Sequence, residues 1–169
     1  LKRHHKQYSL AVLNMKKGNL SLSAKLLESV INDAPSWGEP YRDLGLIQYS
    51  AGNRENGLLN IEKGFILSPC TPRISDLYHL LISSNRLYER AEIIFTDALR
   101  LNKHCNKVAN FLINILIKEN KYQDALSEIC SYFVNFGFDD NYIDNAISIR
   151  NIVGELNNTD YENSISLCM

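Results

Sequence analysis

Histidine, cysteine and carboxylate side chains carry most acid–base, nucleophilic and metal chemistry, and in this chain their spacing joins none of them into a set. His4 and His5 adjoin near the start, where a frayed end takes up metal adventitiously without implying a site. His104-Cys105 offers one pair of zinc-type ligands, but no second pair completes a tetrahedron. Cys70, Cys105, Cys130 and Cys168 are widely separated, with no C-x-x-C spacing. They are expected to be reduced residues of a helical interior, which fits a cytoplasmic location. No G-x-x-x-x-G-K-[ST] phosphate loop and no H-E-x-x-H helix occurs. Glu89 with Glu92, and Asp139 with Asp140, read as solvated helix-end charges. His79, beside Tyr78, reads as a packed or groove-lining imidazole rather than a general base. The chain is therefore expected to be no enzyme and to hold no cofactor or metal.

What remains is surface chemistry, and that depends on the elements that present it. The chain has 169 residues, enough for a real core, and a formal net charge of −1, which suggests neither nucleic acid nor membrane as partner. No charged-then-apolar leader occurs, and no apolar run approaches the 18 or more residues of a membrane span. Charge is nonetheless unevenly placed. Up to Lys25 every charged side chain is basic (Lys2, Arg3, Lys6, Lys16, Lys17, Lys25), whereas from Asp139 onward six acids face only Arg150. Solvated ends account for this polarity, and steering of a charged partner is the alternative.

The organising feature is a period. Gly18-Asn19 recurs as Gly52-Asn53, and Pro35 as Pro69, both at 34 residues. At that period Leu10, Leu44, Tyr78 and Leu112 fall on leading helices, while Ser23, Gly57, Ala91 and Ala125 open second helices. Leu27, Ile61, Phe95 and Ile129 follow four residues later, and Val30, Gly64, Ala98 and Tyr132 three after that. Offsets of four and three share a helical face, and the small residue lets two helices cross closely. Gly18 and Gly52 suit the left-handed residue that ends a helix, and the two prolines stop the second helices. Rows three and four place Arg86 and Asn120 at the glycine position, a chemically looser turn, and Lys103 at the proline position. The spacing predicts helices near 4–16, 20–33, 38–51, 54–67, 73–85, 88–101, 106–118, 121–134 and 140–156.

This pattern resembles the tetratricopeptide repeat (TPR) family over about Arg3 to Phe136. The second row carries it best: Tyr41, Leu44, Gly45, Gly52, Asn53, Gly57, Ile61, Gly64 and Pro69. Row three adds Ala91, Phe95 and Ala98; row four adds Lys121 to Leu126. Row one departs most, with Gln7 where an aromatic is usual and Ala11 at the small-residue place. The resemblance implies an all-α, right-handed superhelical solenoid over 3–156, with repeats at about 4–37, 38–71, 72–105 and 106–139 and a capping helix at 140–156. It also implies a concave groove lined by the leading helices, with Arg42, Asp43, Leu46 and Tyr49, then Arg73, Asp76 and Leu80, then Lys107, Asn110, Phe111 and Asn114. Tyrosine and arginine are common interface anchors, and the amides of Asn110 and Asn114, one turn apart, suit a peptide backbone.

TPR arrays that clamp a terminal carboxylate use lysine, asparagine and arginine on successive leading helices. The corresponding places here carry Tyr8, Val12, Asp43 and Leu77, and only Arg73 matches, so a chaperone-tail clamp is not expected. After Leu156 the period breaks, with Thr159 where Ala125 would recur. Residues 157–169 read as a polar linker followed by Ser164-Ile165-Ser166-Leu167-Cys168-Met169, which resembles the opening strand of a family-2 glycosyltransferase domain, a domain found joined to TPRs in bacterial chains. The competing reading starts a further helix at Tyr161. Three functions follow: a non-catalytic scaffold for a protein or peptide partner, a piece of a glycosyltransferase whose catalytic residues lie beyond Met169, and a self-assembly module.

Overall fold

The computed structural model describes residues 3–137 and 139–156, with backbone alone for 141, 142 and 152–156. The described residues are helical: α1 (Arg3–Lys16), α2 (Leu20–Asp33), α3 (Gly38–Ser50), α4 (Arg54–Leu67), α5 (Pro72–Asn85), α6 (Tyr88–Leu101), α7 (Asn106–Lys118), α8 (Tyr122–Phe136) and α9 (Asp140–Leu156). The helices expected from the period lie within two residues of these. The expected linker 157–160, the Ser164–Met169 run and the competing helix from Tyr161 lie outside the described residues, as do the side chains of Tyr142 and Val153.

The helices form two compact units, α1 to α5 up to Arg86 and α6 to α9 from Leu87. In the first, α1 packs on α2, α2 on α3, α3 on α4, and α4 on α5; in the second, α6 packs on α7, α7 on α8, and α8 on α9. Each unit is thus a helical solenoid segment in which every helix meets its chain neighbour.

The 34-residue period is written into the backbone. Gly18, Gly52, Arg86 and Asn120 all take the left-handed conformation, at φ of 81°, 93°, 55° and 58°. The turn is looser in residue type but not in geometry. Asn19, Asn53 and Lys121 each donate their backbone N–H to the carbonyl five residues back, of Asn14, Gln48 and Leu116, which caps the leading helices. The second helices end alike: Trp37 N–H to Ala34 O, Thr71 to Ser68 and Cys105 to Asn102, at 3.1, 3.1 and 3.2 Å. Lys103 therefore sits in the same turn as Pro35 and Pro69. Arg86 holds a conformation that disfavours a side chain, so Arg86→Gly should stabilise the protein by about 0.5–1 kcal/mol. An unchanged thermal midpoint would show that this helix end stores no strain.

The small residues sit where the helices cross. Ser23, Ala91 and Ala125 are fully buried, and Ser23 Oγ donates to Ala11 O of the facing helix at 2.9 Å. Between α3 and α4 the approach is closest. A Cβ on Gly45 would lie 2.6 Å from Gly57 O, and one on Gly57 would lie 2.6 Å from Tyr49 N. Gly38 and Gly64 repeat this seven residues away on each helix, at 2.6 and 2.8 Å from one another's carbonyl oxygens.

The cysteines correct the expectation of reduced thiols. Cys70, Cys105 and Cys130 are each disulfide-bonded. Spacing along the chain does not report spacing across packed helices, so wide separation was no sign of a free thiol. The inference of a reducing compartment falls with it. Among the described residues no helix is long and apolar enough to cross a membrane, and no cluster of three or more His, Cys, Asp or Glu could hold a metal.

Candidate functional site

In the first unit the candidate residues lie on α3 and α5. Arg42 and Asp43 are buried, at 8% and 2% exposure. Arg42 Nε donates to Asp43 Oδ1 at 2.7 Å, and Nη2 lies 2.6 Å from the same oxygen. The phenol of Tyr8, on α1, donates to Asp43 Oδ2 at 2.8 Å and accepts from Arg42 Nη2 at 3.3 Å. A desolvated ion pair is tolerated only when its remaining polar atoms are also paired, and Tyr8 completes that set. Burial, and then the charge of Asp43, push the Tyr8 phenol well up from its ordinary range. Trp37 closes the cluster, its ring centroid 4.6 Å from Tyr8 and 4.9 Å from His5. The trio fastens α1 to α3, so Arg42 and Asp43 are turned to each other.

Leu46 and Tyr49 are half-buried on α3. The Tyr49 oxygen accepts from Asn85 Nδ2 of α5 at 3.2 Å, and the Arg54 guanidinium lies 5.9 Å from the Tyr49 ring centre. Arg73, Asp76 and Leu80 are exposed on α5 at spacings of three and four, which place them on one face. Leu80 is 60% exposed, which is conspicuous for a large apolar side chain.

In the second unit Lys107, Asn110 and Phe111 are half-buried on α7, and Asn114 is exposed. Phe111 packs against Phe95 of α6 with ring centroids 6.2 Å apart. The amide of Asn110 hydrogen-bonds the Tyr132 phenol of α8, a group that burial pushes up. Asn110 and Asn114 thus differ in kind: one serves the interior, the other faces out.

Tyr8, Trp37, Arg54 and Asn85 were missed as partners of these residues. Tyr8 had a signal, since it stands one period before Arg42. The other three come from second helices, turns and helix ends, which a reading of leading-helix positions passes over.

A cavity of about 760 Å³ in the second unit lies against α8, lined among others by Leu99, Lys103, Glu128, Cys130 and Val134. Burial, and then Asp124, push the Glu128 carboxyl up.

No family model matches this chain, and no curated protein matches it in sequence. Solved structures do resemble it. MamA AMB-1 aligns with a TM-score of 0.59 at 14% identity, over 98% of this chain and 90% of that one. YrrB, a TPR protein with an unusual peptide-binding site, aligns at 0.58 and 12% identity, over 96% and 82%. The fold is TPR-like. MamA from Desulfovibrio magneticus RS-1 agrees, at 0.57 and 9% identity over 100% and 94%. Within this TPR-like fold α1, α3, α5 and α7 are the leading helices, and the residues above are what their faces present.

Proposed function

We propose that this TPR-like chain is a non-catalytic scaffold that binds a protein or peptide through its leading-helix faces and positions that partner within a larger protein. The observation that carries the reading is the α5 face. Arg73 and Leu80 lie exposed there, and Leu80 at 60% exposure contributes little to the core. Half-buried Leu46 and Tyr49 on α3 add apolar and aromatic area of the sort that anchors a peptide. A terminal carboxylate gains nothing from Asp43, whose charge Arg42 and Tyr8 already occupy. The partner is therefore held by side chains rather than by its terminus.

Selection of peptides from a random library against the intact chain tests this. Arg73→Glu combined with Leu80→Asp should weaken the selected peptides about tenfold or more. Far-UV circular dichroism should stay unchanged, because both residues are exposed. Equal binding by the variant would remove the α5 face from the function.

A further inference from the structure

Glu128 lines the cavity against α8 as a half-buried carboxylate with no hydrogen bond or ion pair among the described residues. Burial without a partner disfavours its charge, and Asp124, one turn earlier on α8, disfavours it further. The matching places on the other second helices avoid that cost. Ile94 of α6 and Leu26 of α2 are apolar there, and Asn60 of α4 donates to Gln48 Oε1 at 2.7 Å. Among these four second helices, α8 alone sets a charge at this place.

The space beside Glu128 also follows from residue type. Ser127 and Ser131 line it, where α6 carries the bulkier Ile93 and Asp97. The rest of the wall is largely apolar or already satisfied. Leu99, Val134 and Phe136 contribute hydrocarbon and aromatic surface. Tyr132 is 6% exposed, and its phenol is served by Asn110. Cys130 is disulfide-bonded and offers no thiol. Lys103, exposed in the turn after α6, lines the cavity as well and makes no ion pair with Glu128. At about 760 Å³ the cavity has the size of a small-molecule site, and its few polar groups on a mostly apolar wall fit that use.

We propose that this cavity binds a small organic amine, an apolar or aromatic body carrying one ammonium group. The ammonium meets the Glu128 carboxylate, the aromatic walls take the body, and Lys103 disfavours a ligand with a second positive charge. A neutral or anionic molecule of the same shape leaves Glu128 uncompensated. The site belongs to the second unit and does not depend on the α5 face.

The test uses the intact chain and three probes of similar shape: phenethylamine, phenethyl alcohol and phenylacetate. Isothermal titration calorimetry should show the amine binding about tenfold more tightly than the alcohol, with phenylacetate weaker than either. Glu128→Gln should lower the amine to the affinity of the alcohol and leave the alcohol unmoved. Ser131→Trp should fill the cavity and abolish binding of both, while the helical circular dichroism signal persists because Ser131 is exposed. Arg73→Glu with Leu80→Asp should bind the amine as the unmodified chain does, which separates this cavity from the peptide groove. Equal affinity for amine and alcohol, tighter binding of phenylacetate, or an amine preference that survives Glu128→Gln would each overturn the proposal. So would an amine that fails to bind at millimolar concentration, or one that still binds after Ser131→Trp.

Discussion

Gly57→Leu should cost the first unit about 3 kcal/mol or more, a large part of what a small unit has to lose. The first added carbon already meets Tyr49 N at 2.6 Å, Tyr49 Cβ at 2.7 Å and Gly45 O at 2.8 Å. Two of these are backbone atoms of the facing helix, which no rotamer change can move. Separating α3 from α4 is then the only relief, and it would also open the approach of Gly38 to Gly64. Gly57→Ala should show a milder form, about 2 kcal/mol, because the Cβ clash is present without the larger side chain. Gly18→Ala provides the contrast. Its Cβ meets nothing within 4 Å, and its φ of 81° alone sets a cost of about 1 kcal/mol. Urea unfolding followed by circular dichroism orders the three, and a Gly57→Leu midpoint at or above that of Gly18→Ala would contradict the close-packed crossing.

Removing Asp43 should be of similar weight. Asp43→Ala leaves the Arg42 guanidinium at 8% exposure with its carboxylate gone and Tyr8 as its remaining partner in the trio, a loss of about 3 kcal/mol. Replacing both members, as Arg42→Met with Asp43→Leu, should restore much of that stability, because an apolar pair leaves no uncompensated charge. Tyr8→Phe should cost about 1 kcal/mol, since Arg42 still satisfies Asp43. Denaturant midpoints of these three variants, set against the unmodified chain, measure the effects. A double variant no more stable than Asp43→Ala would mean that the pair does more than satisfy its own burial.

These predictions mark how far the chain could be read directly. The period, the helix ends and the small crossing residues were legible because each rests on local chemistry: a glycine that accepts positive φ, a proline that stops a helix, offsets of three and four that share a face. Even Arg86 and Asn120, which lack the expected glycine, fall into the left-handed conformation, since the register demands a turn there. The residues expected to line a groove could be named by their place in the period, but their surroundings could not. Arg42 and Arg73 look alike in sequence, yet one is buried against Asp43 and Tyr8 and the other is exposed. Asn110 and Asn114 divide the same way, because only Asn110 lies within reach of Tyr132.

The sequence by itself determined a helical repeat of 34 residues, its nine helices within the described span, and the faces they offer. Helix geometry is set by neighbours a few residues apart, and such neighbours are visible in a string of letters. Only the tertiary structure decided which polar side chains are already satisfied and which cysteines are bonded. Those outcomes depend on side chains brought together from distant turns of the chain, where burial and pairing, rather than residue type, set what each group is free to do.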